Sequence, residues 1–174
     1  LMSVDGTTQG GVLQIGIAQN IGSGSTLAPP AIGPPTSYFN NTVFSVASGS
    51  TALDANTGLT ANATSSATST LNNAGQIYVL GQNALTTAAV IHANADNGGL
   101  VSMVSSAGDY QNSGYIQTNG GAGLGGTVLL SGANNTNLIG ANIQANGFTQ
   151  GGTVKIGNDA VNGALPFSAN TVID

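Results

Sequence analysis

The chain reads as an all-β protein, a right-handed parallel β-helix (solenoid) with about 24–27 residues per rung. Three observations predict it. A glycine-anchored segment recurs as Gly98-Gly99-Leu100-Val101-Ser102-Met103, Gly125-Gly126-Thr127-Val128-Leu129-Leu130 and Gly151-Gly152-Thr153-Val154-Lys155-Ile156. Between the copies runs a second refrain: Val90-Ile91-His92-Ala93-Asn94, Tyr115-Ile116-Gln117-Thr118-Asn119 and Asn142-Ile143-Gln144-Ala145-Asn146. Both alternate apolar with variable positions at period two, which is the pattern of strands and excludes helical repeats.

Taken in order, Gly11-Val12-Leu13-Gln14-Ile15-Gly16 is the earliest copy, with Leu13 and Ile15 inward and Gln14 outward. Residues 20–40 hold Pro29, Pro30, Pro34 and Pro35 around Gly33 and read as a Pro-rich loop extruded from the solenoid. Residues 41–74 read as an irregular rung: Thr42-Val43-Phe44-Ser45-Val46 is a strand, and Thr60 to Thr70 is an Ala/Ser/Thr tract without period. Residues 75–174 form the regular rungs. Their anchors Gly75, Gly99, Gly126 and Gly152 are spaced by 24, 27 and 26 residues. Two and four residues on come Ile77/Val79, Val101/Met103, Val128/Leu130 and Val154/Ile156, all apolar and all predicted inward. The position between them, held by Tyr78, Ser102, Leu129 and Lys155, is predicted outward.

The second refrain places Ile91, Ile116 and Ile143 inward, followed by Ala93, Thr118 and Ala145. His92, Gln117 and Gln144 point outward between them. Asn94, Asn119 and Asn146 then mark a corner, because Asn tolerates turn backbone, and stacked Asn side chains can hydrogen-bond along a column. A third short strand is predicted at Asn137-Leu138-Ile139, with a weak equivalent near Asp109-Tyr110. Residues 1–174 form one β-helix domain. The abrupt opening and the closing strand Asn170-Thr171-Val172-Ile173-Asp174 imply a piece of a longer mature protein.

Composition narrows the function. One Lys against six Asp, with no Arg and no Glu, gives a net charge of −5. Nucleic-acid binding needs several cations to neutralise phosphates, so it is excluded. Docking on anionic membranes is disfavoured for the same reason. No apolar run is long enough for membrane insertion. The chain has no Cys, which rules out disulfides and thiolate metal sites.

The words Gly151-Gly152-Thr153-Val154-Lys155-Ile156-Gly157 and Gly163-Ala164-Leu165-Pro166-Phe167-Ser168-Ala169-Asn170-Thr171-Val172-Ile173-Asp174 resemble the repeat language of filamentous-haemagglutinin-like exoproteins. These are large two-partner-secreted adhesins of Gram-negative bacteria. The resemblance covers about residues 71–174 well and 1–20 loosely, and leaves out the Pro-rich segment. The family's amino-terminal Asn-Pro-x-Gly secretion words are not visible. The resemblance implies a secreted or bacterial cell-surface protein, with an outer-membrane transporter as partner during secretion.

No catalytic centre, cofactor or metal site is expected. His92 is the single histidine, and one imidazole without neighbouring carboxylates or thiolates makes no metal site. Asp96 and Asp109 sit near Asn residues at corners, which is turn chemistry, and the calcium-binding Gly-Gly-x-Gly-x-Asp repeat is missing. No carboxylate pair recurs at rung spacing, which disfavours a glycosidase cleft. Gly120-Gly121-Ala122-Gly123-Leu124-Gly125-Gly126 lacks the Lys and the helix of a phosphate cradle and reads as a corner linker. The sequons at Asn40, Asn62 and Asn134 are what so Asn- and Thr-rich a chain yields by chance. The expected role is an adhesin or shaft module that contacts host or neighbouring-cell surfaces or glycans. The alternative is a self-assembling subunit of an extracellular fibre or sheath, its partners copies of itself. An ice-binding face would need an aligned outward Thr array, which is absent. The candidate binding faces are the outward columns Tyr78/Ser102/Leu129/Lys155 and His92/Gln117/Gln144.

Overall fold

The structure, a computed structural model, describes residues 1–15, 41–44, 50–63, 71–81, 83–157 and 168–174. The Pro-rich loop expected at 20–40 lies outside the described residues, as does 64–70 of the Ala/Ser/Thr tract. Among the described residues the chain is all strand, with no helix. The strands are β1 (Met2–Ser3), β2 (Val12–Ile15), β3 (Asn41–Phe44), β4 (Ser50–Leu53), β5 (Gly58–Thr60), β6 (Gln76–Gly81), β7 (Ala84–Thr87), β8 (Val90–His92), β9 (Leu100–Ser105), β10 (Asp109–Asn112), β11 (Tyr115–Gln117), β12 (Thr127–Gly132), β13 (Asn135–Leu138), β14 (Asn142–Gln144), β15 (Thr153–Ile156) and β16 (Asn170–Ile173).

They form three parallel sheets. The first runs β1-β5-β8-β11-β14, the second β3-β2-β6-β9-β12-β15, and the third β4-β7-β10-β13-β16. From β4 onward the chain visits the third, first and second sheets in fixed rotation, so each pass lays one strand on each sheet. This arrangement is compatible with a parallel β-helix. The departure is at the amino-terminal end, where β3 pairs with β2 on the side away from β6.

The register follows the inward columns. Leu13, Ile77, Val101, Val128 and Val154 are paired in sequence across the second sheet. The first four are at most 1% exposed, and Ile91 and Ile116 on the first sheet are fully buried. Together with Leu59, Leu85, Met103, Tyr110 and Leu130 they form one continuous core. Val154, expected to be buried like its column mates, is 42% exposed, and Ile143 is half-buried. Each inward side chain is sealed by neighbours on both sides along the stack, and β14 and β15 are paired on one side alone.

The anchoring glycines have a steric cause. A methyl group at Gly75, Gly99, Gly126 or Gly152 would collide with the carbonyl oxygen of Gly11, Gly75, Gly99 or Gly126 respectively. Those four carbonyls each accept a hydrogen bond from the residue after the next glycine, such as Thr127 N to Gly99 O at 2.8 Å. The backbones approach so closely at this corner that no Cβ fits between them.

Two features depart from the sequence expectation. The third sheet is complete in every pass, and the weak segment at Asp109–Tyr110 belongs to it: Tyr110 is paired between Leu85 and Thr136 and is fully buried. Its inward positions mix Tyr110, Thr87, Asn112 and Thr136 with Leu85 and Leu138, so hydrophobicity alone understates it. The polar members bond locally through their oxygens: Asn112 Oδ1 accepts from Gly114 N at 2.8 Å and Thr87 Oγ1 from Ala89 N at 3.2 Å, while Asn112 Nδ2 is buried without a partner among the described residues. Ile139, expected inside this strand, lies beyond its end and is 58% exposed.

The second refrain has two further copies. Leu59-Thr60-Ala61-Asn62 pairs in register with Ile91-His92-Ala93-Asn94, and Met2-Ser3-Val4-Asp5 pairs below it. The start of the supposedly aperiodic tract is therefore a regular strand and corner. Strands β4 and β5 take ordinary positions in the third and first sheets, within the segment expected to be an irregular rung.

Candidate functional site

The first candidate face stands on the outer surface of the second sheet. Tyr78, Ser102, Leu129 and Lys155 are paired in that order across β6, β9, β12 and β15, so they do form one column. Leu129, however, is only 4% exposed. It packs with Leu100 and Val104 in an apolar cluster separate from the central core, with Tyr78 and Leu80 against it. Ser102 and Lys155 are half-buried. The column is thus not the open binding strip expected. Alternation assigned Leu129 to the outer side, but the apolar rows beside it enclose it there, and those rows went unread.

The second candidate face is the outer surface of the first sheet. Ser3, Thr60, His92, Gln117 and Gln144 are paired in one column. Strand spacing lets their side chains bridge neighbouring strands. Gln117 Nε2 donates to Gln144 Oε1 at 2.9 Å and also to the Tyr115 hydroxyl. Gln117 Oε1 accepts from Asn94 Nδ2 at 3.1 Å. Gln144 Oε1 accepts further from the Tyr115 hydroxyl at 3.2 Å and from Asn119 Nδ2 at 3.4 Å. The expected outward amides are present, but they are largely spent on one another.

A corner ladder flanks this face. Asn94 N donates to Asn62 Oδ1 at 2.8 Å, Asn119 N to Asn94 Oδ1 at 2.7 Å, and Asn146 N to Asn119 Oδ1 at 2.9 Å. It starts from a carboxylate, because Asn62 N donates to Asp5 Oδ1 at 2.6 Å. Asp5 Oδ2 also accepts from the Ser3 and Thr60 hydroxyls. The sequence signalled the three later Asn, and Asp5 and Asn62 were missed. A second ladder runs Asp109–Asn135–Asn170 on the third sheet, each Nδ2 donating to the oxygen of the pass before.

His92 is the one ionisable member of its column. Its ring meets Tyr115 edge-on, with centroids 5.8 Å apart. Its Nε2 is buried without a hydrogen-bond partner. Burial holds the imidazole below its ordinary pKa, and the Asp5 carboxylate opposes that shift. The folded chain therefore favours neutral His92. Its contribution to stability is full above the ordinary imidazole value near about 6.5 and is lost as pH falls through the lowered folded value. Melting temperature should accordingly drop as pH falls below about 6.5, and His92→Gln, which restores the column's own residue type, should flatten that drop. Identical pH slopes for the two chains would contradict the assignment.

The acids are dispersed into backbone roles. Asp54 caps its own turn through Asn56 N and Thr57, and Asp96 accepts from Asn72 N at 3.0 Å. Asp159 lies outside the described residues. Among the described residues, no three His, Cys, Asp or Glu side chains gather where a metal could bind. The glycine-rich corner uses its N–H groups internally: Gly121 N donates to Ala95 O, Gly123 N to Asp96 O and Leu124 N to Asn97 Oδ1. The chain matches none of the protein-family models, curated proteins or solved structures compared with it.

Proposed function

We propose that the chain is a secreted or cell-surface adhesin or shaft module, built as a right-handed parallel β-helix with about 24–27 residues per rung. The paired residues Ile77, Val101, Val128 and Val154 lie 24, 27 and 26 positions apart, which supports that rung length. The observation that carries the functional reading is the set of outward ladders. Side-chain amides linked from pass to pass stiffen a rod and leave it nearly uncharged, which suits reach and weak contact repeated along its length. Contact with host or neighbouring-cell surfaces or glycans falls on these faces, and the His92/Gln117/Gln144 column is the better exposed of the two candidates. Catalysis and metal binding have no place in this reading. By resemblance, export uses an outer-membrane transporter.

The second reading is a self-assembling fibre or sheath subunit. Half-exposed inward residues on the last pass, Val154 at 42% and Ile173 at 66%, favour it. Against simple head-to-tail stacking stands β3, which makes the second sheet one strand longer than its neighbours at the opposite end. A second copy stacked there would meet β3 with β15 while β14 and β16 remained a strand's width short of β1 and β4. Cell or glycan adhesion by a chain that stays monomeric, read by sedimentation and surface binding, is the expected result. Ligand-free polymerisation would favour the fibre. Glycan cleavage lost on mutating Asp96, Asp109 or Asp159 would defeat both.

A further inference from the structure

Three Asn-Gly pairs lie among the described residues: Asn97–Gly98, Asn119–Gly120 and Asn146–Gly147. All three belong to the corner between the first and second sheets. Asn is a thermolabile residue, and a following glycine offers no side chain to obstruct attack of its nitrogen on the Asn carboxamide. Three chemically identical units thus sit in one fold, and their surroundings differ.

In two pairs the attacking nitrogen is held. Gly98 N donates to Leu124 O at 2.8 Å and Gly120 N to Asn146 O at 2.7 Å. Their carboxamides are held too. Asn97 Nδ2 donates to Asn73 Oδ1 and its Oδ1 accepts from Leu124 N, while Asn119 Oδ1 accepts from Asn146 N. The third pair is different. Asn146 is exposed, and neither its carboxamide nor Gly147 N has a hydrogen-bond partner among the described residues.

We propose that Asn146 is a site of spontaneous deamidation, a modification that the rest of the corner ladder suppresses. Gly147 N, losing its proton, bonds to Asn146 Cγ. The Cγ–Nδ2 bond breaks and ammonia leaves, closing a succinimide. Water then opens the ring at either carbonyl, so the net change is Asn plus water to aspartate or isoaspartate plus ammonia. The aspartate product keeps an oxygen acceptor at the end of the ladder, as Asp5 Oδ1 does for Asn62 N at the other end. The isoaspartate product routes the backbone through Cγ, lengthens the corner by a methylene and removes that acceptor. Either product adds a negative charge to a chain of net −5.

The test incubates the full folded chain in mildly alkaline buffer beside a urea-denatured sample. Tandem mass spectrometry then follows each Asn-Gly peptide separately, and isoaspartyl methylation identifies the rearranged product. In the folded chain Asn146 should convert at least about tenfold faster than Asn97 or Asn119, equivalent to about 1.4 kcal/mol of protection at the held pairs. In urea the three rates should converge. Asn146→Gln should remove the fast phase while leaving the melting temperature unchanged, since the Asn146 side chain makes no hydrogen bond among the described residues. Equal rates for the three sites in the folded chain would overturn the proposal, as would an intact Asn146 beside a reacting denatured control. The fourth pair, Asn162–Gly163, lies outside the described residues and is mapped on its own peptide.

Discussion

Val128→Asp should unfold the chain, or at the least the passes that contain β9, β12 and β15. Val128 is fully buried and is paired between Val101 and Val154 in the inward column of the second sheet. The chain's single lysine, Lys155, stands in the outward column beside it and cannot reach inside. A carboxylate there would be stripped of water with no cation to pair it, which costs at least about 4 kcal/mol. That is a large fraction of the stability of a domain worth about 5–15 kcal/mol. Thr86→Asp is the matched control, because Thr86 is exposed on the outer surface of β7. Its effect should stay within about 0.5 kcal/mol, the range of ordinary surface substitutions. Urea melts of the two variants measure the contrast, and shifts of equal size would place Val128 on the wrong side of its sheet. Gln117→Asp is a poorer control, since Gln117 is tied to Gln144, Tyr115 and Asn94.

Gly126→Ala should be the second most damaging small change. The added methyl would drive into the Gly99 carbonyl oxygen and against Thr118 Cβ. The carbonyl cannot yield freely, because it accepts the Thr127 N–H at 2.8 Å and so belongs to the ladder between passes. The change should cost about 3 kcal/mol, the upper end of overpacking. Gly151, the first glycine of the next Gly-Gly copy and outside the anchor column, supplies the comparison. A methyl group there meets nothing within 4 Å. Gly151→Ala should therefore leave stability within about 0.5 kcal/mol of the parent. Equal losses in melting temperature would mean that chain flexibility, and not close approach, explains the glycine column.

The strands of the first two sheets were legible because their inward positions are filled by aliphatic residues at period two. Solvent exclusion selects that pattern directly, and Ile77, Val101, Val128, Ile91 and Ile116 carry it without interruption. The third sheet was faint because Tyr110, Asn112, Thr87 and Thr136 point inward there, and the oxygens of Asn112, Thr87 and Thr136 accept from nearby backbone N–H groups in a way that no pattern of hydrophobicity records. The early copies of the refrain were hidden for another reason. Met2 and Leu59 stand where later copies have Ile, and Asp5 replaces Asn while preserving the acceptor oxygen the ladder needs.

By itself the sequence determined which residues alternate, where the glycine and asparagine corners fall, and that charge is sparse, with one Lys and six Asp. Those properties belong to single strands and to composition, and they survive without knowledge of neighbours. Tertiary structure decided what each outward residue meets. It enclosed Leu129 with Leu100 and Val104, joined Gln117 to Gln144, left His92 Nε2 without a partner among the described residues, and held two Asn-Gly pairs while leaving the Asn146 carboxamide and Gly147 N without one there. Each of these depends on residues about a full pass away in sequence, brought within strand spacing by the parallel register, and period-two alternation carries no information at that distance.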